Sequence, residues 1–362
     1  MRERDNIQRM SGYTSGEQPD SDSVIKLNTN ENPYPPSLEL EKLLAGFSIS
    51  SLRVYPSPLA NELRDYLASL HNLERQNFLI TNGGDELLRL LFTTFLDSGE
   101  PFGMAEPSYS LYPVLAEIND SPIVRISLED DWSLPRNFSK SLNNQGVGLA
   151  CIVSPHAPSG GLVNVDILSR VASEFNGVIL IDEAYIDFVD PALRHDTTRL
   201  VNAFDNLVIL RSLSKGYSLA GLRVGYAIAS PGLIDPMLTK TRDSYNMNAI
   251  SQKLALAALM DQDYAQTTWD RVRTSRRSMR QELTTRGFGV PPSQANFLLA
   301  EIPDTSPLSA LELLKALREQ NILVRHFNVP ELEDMLRISI GTDAQNACLL
   351  NTLDNLGLIP LK

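Results

Sequence analysis

Short apolar segments alternate with helical patterns between about residues 78 and 230. The apolar segments are NFLIT, IVRISL, LACIVS, VILID, NLVILRS and VGYAIAS. Each is a few residues long and rich in Val, Ile and Leu, which is typical of strands that are buried on both faces. Their alternation with helices predicts a mostly parallel sheet covered by helices, so we expect an α/β fold.

The pattern changes after about residue 246, where long helices are predicted over 248–260 and roughly 264–286. The segments NFLLAEI, ILVRHF and MLRISI are predicted strands. A further helix lies among them, with apolar positions at Leu308, Leu311, Leu314 and Leu317. This mixture predicts a second, smaller α+β domain.

Residues 1–23 are polar, which predicts an arm that needs another surface to become ordered. We expect three regions along the chain. Residues 1–47 form the arm and part of the small domain, 48–245 form the large domain, and 246–362 form the C-terminal small domain. Ligand sites are common in the cleft between two domains, so we expect one there.

Composition narrows the possible functions of these 362 residues. The 44 acidic against 32 basic residues give a net charge of -12, which argues against binding nucleic acid or an anionic membrane. No apolar run reaches membrane-spanning length and no secretory leader is evident, so we expect a cytoplasmic protein. Two cysteines, Cys151 and Cys348, are too few for a disulfide framework, and scattered histidines predict no metal site.

One lysine lies in a polar turn between two apolar strands. The segment NLVILRSLSKGYSLAGLRVGY contains Ser212, Ser214, Lys215 and Arg223. A lysine at a strand end can be desolvated, which lowers its pKa and frees the amine to attack an aldehyde. The two hydroxyls and the guanidinium suit a phosphate dianion. A lone lysine is usually a solvated surface charge, but these neighbours favour a functional site.

An acidic residue ends another predicted strand. Asp182 follows the apolar run VILI, where an unpaired carboxylate would require a cationic partner such as a protonated pyridine nitrogen. Tyr185 would reach a hydroxyl on the same ring. The alternative is that Asp182 caps the following helix.

In TNGGDE, Gly83 and Gly84 precede a helix whose free N–H groups would bind phosphate, although a glycine pair alone often marks only a turn.

These residues resemble those of the class I/II aminotransferases, which are pyridoxal 5′-phosphate (PLP) dependent enzymes of fold type I, and in particular their histidinol-phosphate aminotransferase branch. The resemblance spans nearly the whole chain. The matching segments, in family order, are GYTSGEQP, LNTNENP, VYPSP, GGDE, EPSYSLY, SPHAPSG, DEAYIDF, RSLSKGYSLAGLRVGY, ANFLLA, LVRHF and LRISIGT. The resemblance implies a large domain with a mostly parallel sheet flanked by helices, and a smaller α+β domain.

The resemblance also implies roles for individual residues. Lys215 would hold PLP as a Schiff base, Asp182 would pair with the pyridine nitrogen, and Tyr185 would contact the ring hydroxyl. Tyr109 would stack on the ring, and Tyr55 would reach the phosphate in the neighbouring subunit of a homodimer. The residues implied around the cofactor phosphate are Gly84, Asp85, Ser212, Ser214 and Arg223.

One segment departs from the family pattern. The family has an Asn that donates to the ring hydroxyl immediately before the proline of its Asn-Pro-Thr-Gly turn, whereas this chain has Ala157 before Pro158. Losing one neutral hydrogen bond costs about 1 kcal/mol, so the charge-assisted phosphate contacts should still retain the cofactor. Our hypothesis is that His156 replaces the missing donor, the alternative being that it is an ordinary turn residue.

The implied reaction is the transfer of the amino group of L-histidinol phosphate to 2-oxoglutarate, giving imidazole-acetol phosphate and L-glutamate, in histidine biosynthesis. By resemblance, Arg325 and Arg337 face the cleft and grip the phosphate of one substrate and a carboxylate of the other. Tyr13 and Asn32 would complete the pocket. Either arginine would otherwise serve an ordinary surface ion pair.

Three other functions stay open at this point. A related decarboxylase acting on threonine phosphate would share the lysine, the aspartate and a phosphate-binding arginine. An aminotransferase for aromatic amino acids would share the cofactor site. A ligand-sensing module without catalysis is disfavoured, because the chain has no basic helix-turn-helix extension.

Overall fold

The computed structural model describes residues 2–19, 21 and 23–360. The strands are β1 (Ile25–Lys26), β2 (Phe78–Thr81), β3 (Phe102–Glu106), β4 (Ile123–Ser127), β5 (Leu149–Val153), β6 (Val178–Asp182), β7 (Leu207–Ser212), β8 (Gly225–Ala229), β9 (Phe297–Glu301), β10 (Ile322–Leu323), β11 (Arg325–His326) and β12 (Met335–Ser339). The α-helices are α1 (Asp5–Arg9), α2 (Leu38–Ala45), α3 (Asn61–His71), α4 (Gly84–Phe95), α5 (Leu111–Asn119), α6 (Phe138–Asn144), α7 (Val165–Glu174), α8 (Pro231–Pro236), α9 (Ala249–Met260), α10 (Gln262–Thr285), α11 (Ala310–Glu319) and α12 (Asp343–Asn355).

The larger sheet has seven strands in the order β2-β8-β7-β6-β5-β3-β4. Pairs among β3 to β7 are parallel, and β8 is antiparallel to both of its neighbours. Side chains alternate between the two faces, so Ile179 and Ile181 pack into one apolar cluster while Leu180 packs into another. The predicted mostly parallel, helix-covered sheet is therefore confirmed.

Strand β3 is missing from the strands that the sequence predicts. Its residues, FGMAE, include Gly103 and Ala105 rather than β-branched side chains, so the local pattern indicates no strand. A side chain at Gly103 would come within 2.4 Å of Leu142. Close packing of a helix against the sheet therefore explains the glycine, and pairing with β4 and β5 makes this segment a strand.

The second half of the chain builds a smaller antiparallel sheet in the order β11-β12-β9. The predicted strand ILVRHF is divided, because β10 pairs in parallel with β1 near the N-terminus while β11 pairs with β12. Helices α10, α11 and α12 supply much of the apolar cluster beside these strands. The predicted α+β character is observed here, and the residue limits of the domains stay a prediction.

The N-terminal arm packs on its own chain. Arg4 Nη2 donates to the carbonyl of Ile118 at 2.9 Å, and Asn6 Nδ2 donates to the carbonyl of Glu117 at 2.8 Å. Both carbonyls belong to the end of α5, where such groups lack partners within the helix. These contacts hold the first residues of the arm against the C-terminal end of α5. Among the residues described, no helix has the length and apolarity needed to cross a bilayer.

Replacing Leu180 by Ala should lower the free energy of unfolding by about 2–5 kcal/mol, because a buried side chain of the central strand leaves a cavity. Leu180 has 0% of its surface exposed, whereas Leu193 is 54% exposed and offers a matched control. Leu193→Ala should change the free energy by less than about 0.5 kcal/mol. Denaturant unfolding followed by circular dichroism measures both, and equal losses would contradict the position of Leu180 in the core.

Candidate active site

A cavity of about 760 Å³ lies between the carboxyl ends of the parallel strands and the smaller sheet. This edge is the usual ligand-binding edge of an open α/β sheet, and the volume suits a cofactor with a substrate. The predicted site residues that line the cavity are Tyr13, Gly84, Asp85, Tyr109, Asp182, Tyr185, Ser212, Ser214, Lys215, Arg223, Arg325 and Arg337. The structure thus brings together side chains from the arm and from both sheets.

Lys215 lies in the turn after β7, where its Nζ donates to the carbonyl of Thr29 at 2.8 Å. Burial lowers the pKa of this amine to about 8, although the nearby Glu31 carboxylate acts in the opposite direction. A lowered pKa leaves a larger neutral fraction of the amine at physiological pH. Lys215 is therefore suited to act as a nucleophile or as a base.

Asp182 ends β6 inside the same cavity. Its Oδ2 accepts from the Tyr112 hydroxyl at 2.7 Å, and its Oδ1 accepts from the Ala184 N–H at 3.0 Å. Burial raises the pKa of the carboxyl to about 6. The local contact to Ala184 resembles the predicted cap, but it uses only one oxygen. Within the described part of the chain no Lys, Arg or His forms a salt bridge with Asp182, so the site can accept a cationic group.

The start of α4 and the turn after β7 form a cradle for an anion. Gly83 has a φ of +78°, and a Cβ there would lie 2.5 Å from Arg223 Nη2. Arg223 Nη1 donates to Ser214 Oγ at 3.3 Å, while Nη2 donates to Asp85 Oδ2 at 3.3 Å. The helix N-terminus, the guanidinium and the neighbouring hydroxyl of Ser212 give the donors that a phosphate requires.

Three tyrosines surround the open part of the cavity. Tyr13 of the arm meets Tyr109 edge to face, with ring centroids 6.0 Å apart. The Tyr185 hydroxyl oxygen accepts from Asn30 Nδ2 at 3.1 Å. Burial raises the pKa of Tyr109 and of Tyr185, so both phenols stay protonated at neutral pH. Tyr185 therefore keeps a hydrogen that it can donate.

Arg325 and Arg337 are directly opposite each other on β11 and β12, so both side chains leave the same face of the smaller sheet. Arg337 Nη2 donates to the carbonyl of Asn28 at 2.9 Å, and its buried Nε has no partner among the residues that the structure describes. Burial lowers the pKa of Arg337. No described carboxylate forms a salt bridge with either guanidinium, so the pair is arranged to receive an anion from the cavity.

His156 is buried but does not line the cavity, so its contacts do not support the hypothesis that it donates to a ring hydroxyl. Its Nε2 lies 2.9 Å from the carbonyl of Pro107 and must donate there, since a carbonyl only accepts. Nδ1 lies 2.8 Å from Ser159 Oγ and accepts its hydrogen. Burial lowers the pKa of His156 to about 4, which matches this neutral form. Both ring nitrogens therefore hold the loop together.

Asn32 is the second residue that the structure places outside the cavity lining. Its Nδ2 donates to the carbonyl of Gly216 at 3.2 Å, and its Oδ1 accepts from the Tyr34 N–H at 3.1 Å. The expectation that it contacts substrate is not supported by these contacts, because both ends of the amide are engaged in backbone contacts. Asn32 instead supports the turn that carries Lys215.

Tyr55 also lies away from the cavity of its own chain. It is 78% exposed and stacks on Tyr245, with ring centroids 4.4 Å apart. Its implied contact with a neighbouring subunit requires a second chain and stays a prediction.

Tyr112 and Asn30 contact the site but are not among the residues predicted from the sequence. Tyr112 lies in the first turn of α5, three residues after Tyr109 of the preceding loop, and only its contact with Asp182 distinguishes it from a core tyrosine. Asn30 belongs to the segment NTNENP, which the sequence analysis used only for Asn32. The partner of Asn30 is 155 residues away, so no local pattern could identify the contact.

Comparisons with known proteins agree with this geometry. Residues 22–353 match the sequence model of the family described as aminotransferase class I and II. Histidinol-phosphate aminotransferase 1 of Trichormus variabilis is 38% identical over 354 residues, which cover 98% of each chain. Histidinol-phosphate aminotransferase 1 of Oceanobacillus iheyensis is 40% identical over 347 residues, which cover 95% of each.

The fold also matches a crystal structure of histidinol-phosphate aminotransferase from Sinorhizobium meliloti in complex with pyridoxal-5′-phosphate. The TM-score is 0.89 at 21% sequence identity, and the match covers 98% of this chain and 97% of the other. The family resemblance inferred from the sequence motifs is therefore confirmed, and the chain belongs to the aminotransferase class I and II family.

Proposed function

We propose that this protein is a PLP-dependent aminotransferase that transfers the amino group of L-histidinol phosphate to 2-oxoglutarate, giving imidazole-acetol phosphate and L-glutamate. One observation carries the proposal. A single cavity combines the partly buried amine of Lys215, the buried carboxylate of Asp182, a phosphate cradle and two arginines for which the described residues supply no carboxylate partner. The names of the full-length relatives support the same substrate.

The residues of the cavity fit PLP. Asp182 would pair with the ring nitrogen, since the carboxylate has no cationic partner in the chain described. The cradle formed by Gly84, Asp85, Ser212, Ser214 and Arg223 would hold the phosphate. Tyr109 would lie against the ring face, and Tyr185 would donate to the ring hydroxyl. When bound, PLP supplies an aldehyde that reacts with amines and a ring that accepts electrons from the substrate carbon.

Lys215 has two tasks in this proposal. Its neutral amine would hold the cofactor, and the free amine would accept a proton from the substrate carbon and donate it back. A pKa of about 8 keeps both the neutral and the protonated amine accessible near physiological pH. Residues of the arm and of both sheets border the cavity in which this proton would move.

Arg325 and Arg337 would select the substrates. Guanidinium groups bind both phosphate and carboxylate through paired hydrogen bonds, so the same two side chains serve both half-reactions. Tyr13 would close the pocket from the arm. Because an anion in the cavity would neutralise Arg337, phosphorylated donors should bind better than uncharged ones.

The decisive assay compares the products formed from several donors. We expect histidinol phosphate with 2-oxoglutarate to yield glutamate at a higher kcat/KM than histidine or phenylalanine does. Phosphothreonine should release no carbon dioxide above a control without enzyme. Preference for phenylalanine would favour an aromatic aminotransferase, and carbon dioxide release would favour the decarboxylase.

In the same assay, Arg337→Met should raise the KM for histidinol phosphate about 10- to 100-fold, because charge-assisted hydrogen bonds are lost. The variant should still bind the cofactor, as its absorbance shows, because Arg337 is not among the residues proposed to hold PLP. Arg136, which is exposed, offers a matched control, and Arg136→Met should behave as the parent protein does. An unchanged KM in Arg337→Met would contradict its role in substrate binding.

The rate at which added PLP becomes attached to the protein should rise with pH and level off above about pH 8. Only the neutral amine reacts, and burial lowers the pKa of Lys215 from 10.5 to about 8. Absorbance spectroscopy at a series of pH values measures this rate. Lys215→Ala should show no attachment, whereas Lys140→Ala, at an exposed position, should show the parent profile. A midpoint near 10.5 would contradict a desolvated amine.

We also infer a homodimer in which Tyr55 reaches the cofactor phosphate of the neighbouring subunit. The support is an exposed apolar region around Tyr55, comprising Ile49 at 75% exposure, Leu52, Val54 and Tyr245. Clustered exposed apolar side chains are typical of a protein interface.

A cytoplasmic location likewise stays a prediction.

Mixed dimers can test whether Tyr55 acts across the interface. Chains with Tyr55→Ala or Lys215→Ala should each have little activity alone. If Tyr55 serves the partner's site, each mixed dimer has one site with both defects and one intact site, so random mixing restores roughly a quarter of the activity. If Tyr55 serves its own site, every site stays defective and no activity returns.

A further inference from the structure

Asn30 lies in the N-terminal segment that borders the cavity, and each polar group of its side chain has one partner. Its Nδ2 donates to the Tyr185 hydroxyl oxygen at 3.1 Å, and its Oδ1 accepts from Ser339 Oγ at 2.9 Å. The backbone also takes part, because the Asn30 N–H donates to Ser339 Oγ at 2.9 Å. Asn30 itself is 1% exposed.

This network determines which way the amide points. Ser339 Oγ accepts from the Asn30 backbone, so the hydrogen of the serine hydroxyl goes to the amide oxygen. The amide nitrogen must then face Tyr185 and donate to its oxygen. Because a lone pair of the Tyr185 oxygen accepts from Asn30, the Tyr185 hydrogen points away from Asn30 and toward the cavity that Tyr185 lines.

The position of Asn30 is held by the backbone as well as by the side chain. Its φ is +58°, in the left-handed region that Asn tolerates better than most residues. Asn296 Nδ2 donates to the Asn30 carbonyl at 2.9 Å. The adjoining residues of the same segment contact the site too, since the carbonyl of Thr29 accepts from Lys215 and that of Asn28 accepts from Arg337.

We propose that Asn30 is a positioning residue that aims the Tyr185 hydroxyl hydrogen at the ring oxygen of the bound cofactor. This inference rests on the proposed function and adds a residue to its machinery. Ser339 lies two residues after Arg337 on β12, so the network also joins the substrate-binding strand to Tyr185. Other charged or titratable groups acting on Tyr185 are Asp182 at the end of β6, Arg337 and Tyr13 of the arm.

The test follows the absorbance of the protein-linked cofactor as a function of pH. An aimed hydroxyl stabilises negative charge on the ring oxygen and so favours the deprotonated form of the chromophore. The midpoint is the pH at which half of the chromophore is deprotonated. Asn30→Gly, which tolerates the same backbone angle, should therefore raise this spectral midpoint by about one pH unit. Asn30→Asp should raise it at least as much, because a carboxylate would accept the Tyr185 hydrogen and turn it away.

Asn72→Gly is the matched control. Asn72 also has a left-handed backbone, with a φ of +52°, but lies at the exposed end of α3 and not in the cavity lining. It should keep the parent midpoint. Circular dichroism shows whether Asn30→Gly folds. If it does not, the spectral midpoint of Asn30→Asp is measured instead, because this variant retains the shape of the side chain.

A double-mutant cycle separates positioning from a general structural effect. Tyr185→Phe should raise the midpoint, and adding Asn30→Gly to it should then change the midpoint by less than about 0.3 unit. Equal shifts with and without Tyr185 would overturn the inference, as would an unchanged midpoint in folded Asn30→Gly. If the parent protein binds no PLP, the proposed function itself fails. If it binds PLP and the cycle is additive, only the role of Asn30 fails.

Discussion

The rest of this structure depends on ionisable groups that are at least partly buried around one cavity and that have no full ion-pair partner among the described residues. Burying such groups costs free energy unless hydrogen bonds or an opposite charge compensate. Lys215, Asp182 and Arg337 each have one or two hydrogen bonds from the protein, which is less than full compensation. Their remaining capacity points into the cavity, so a ligand with complementary charges would complete the site.

The large sheet explains why these groups meet. Parallel strands end at one edge, so Asp182 at the end of β6 and the turn that follows β7 lie side by side. The same edge carries the N-terminus of α4, whose close approach to Arg223 needs glycine at position 83. The antiparallel pair β11 and β12 then presents two arginines from the other side.

The segment from Asn28 to Asn32 joins these two parts. Its backbone carbonyls accept from Arg337 and Lys215, and two of its asparagines contact Tyr185 and the Gly216 carbonyl. The groups proposed to bind substrate, to bind the cofactor and to transfer protons thus all contact one short segment of the chain. Because that piece precedes β2 in sequence but packs against β12, the two ends of the chain must both be folded before the site is complete.

Motifs and periodicity were sufficient to predict the α/β class, most strands of the large sheet and the family, because burial patterns and turn residues are local signals. The cavity-lining positions of Lys215, Asp182, Arg223 and both arginines also agree with the sequence analysis. Contacts between distant residues could not be predicted in this way. His156 and Asn32 lie in recognisable motifs but have their polar atoms engaged elsewhere. Tyr112 and Asn30 also lie in recognisable motifs, EPSYSLY and LNTNENP, but nothing in the local sequence indicates their contacts with the site. Side-chain direction and hydrogen-bond partners depend on packing between segments that lie 49 to 184 residues apart in these four cases, and only the tertiary structure decides them.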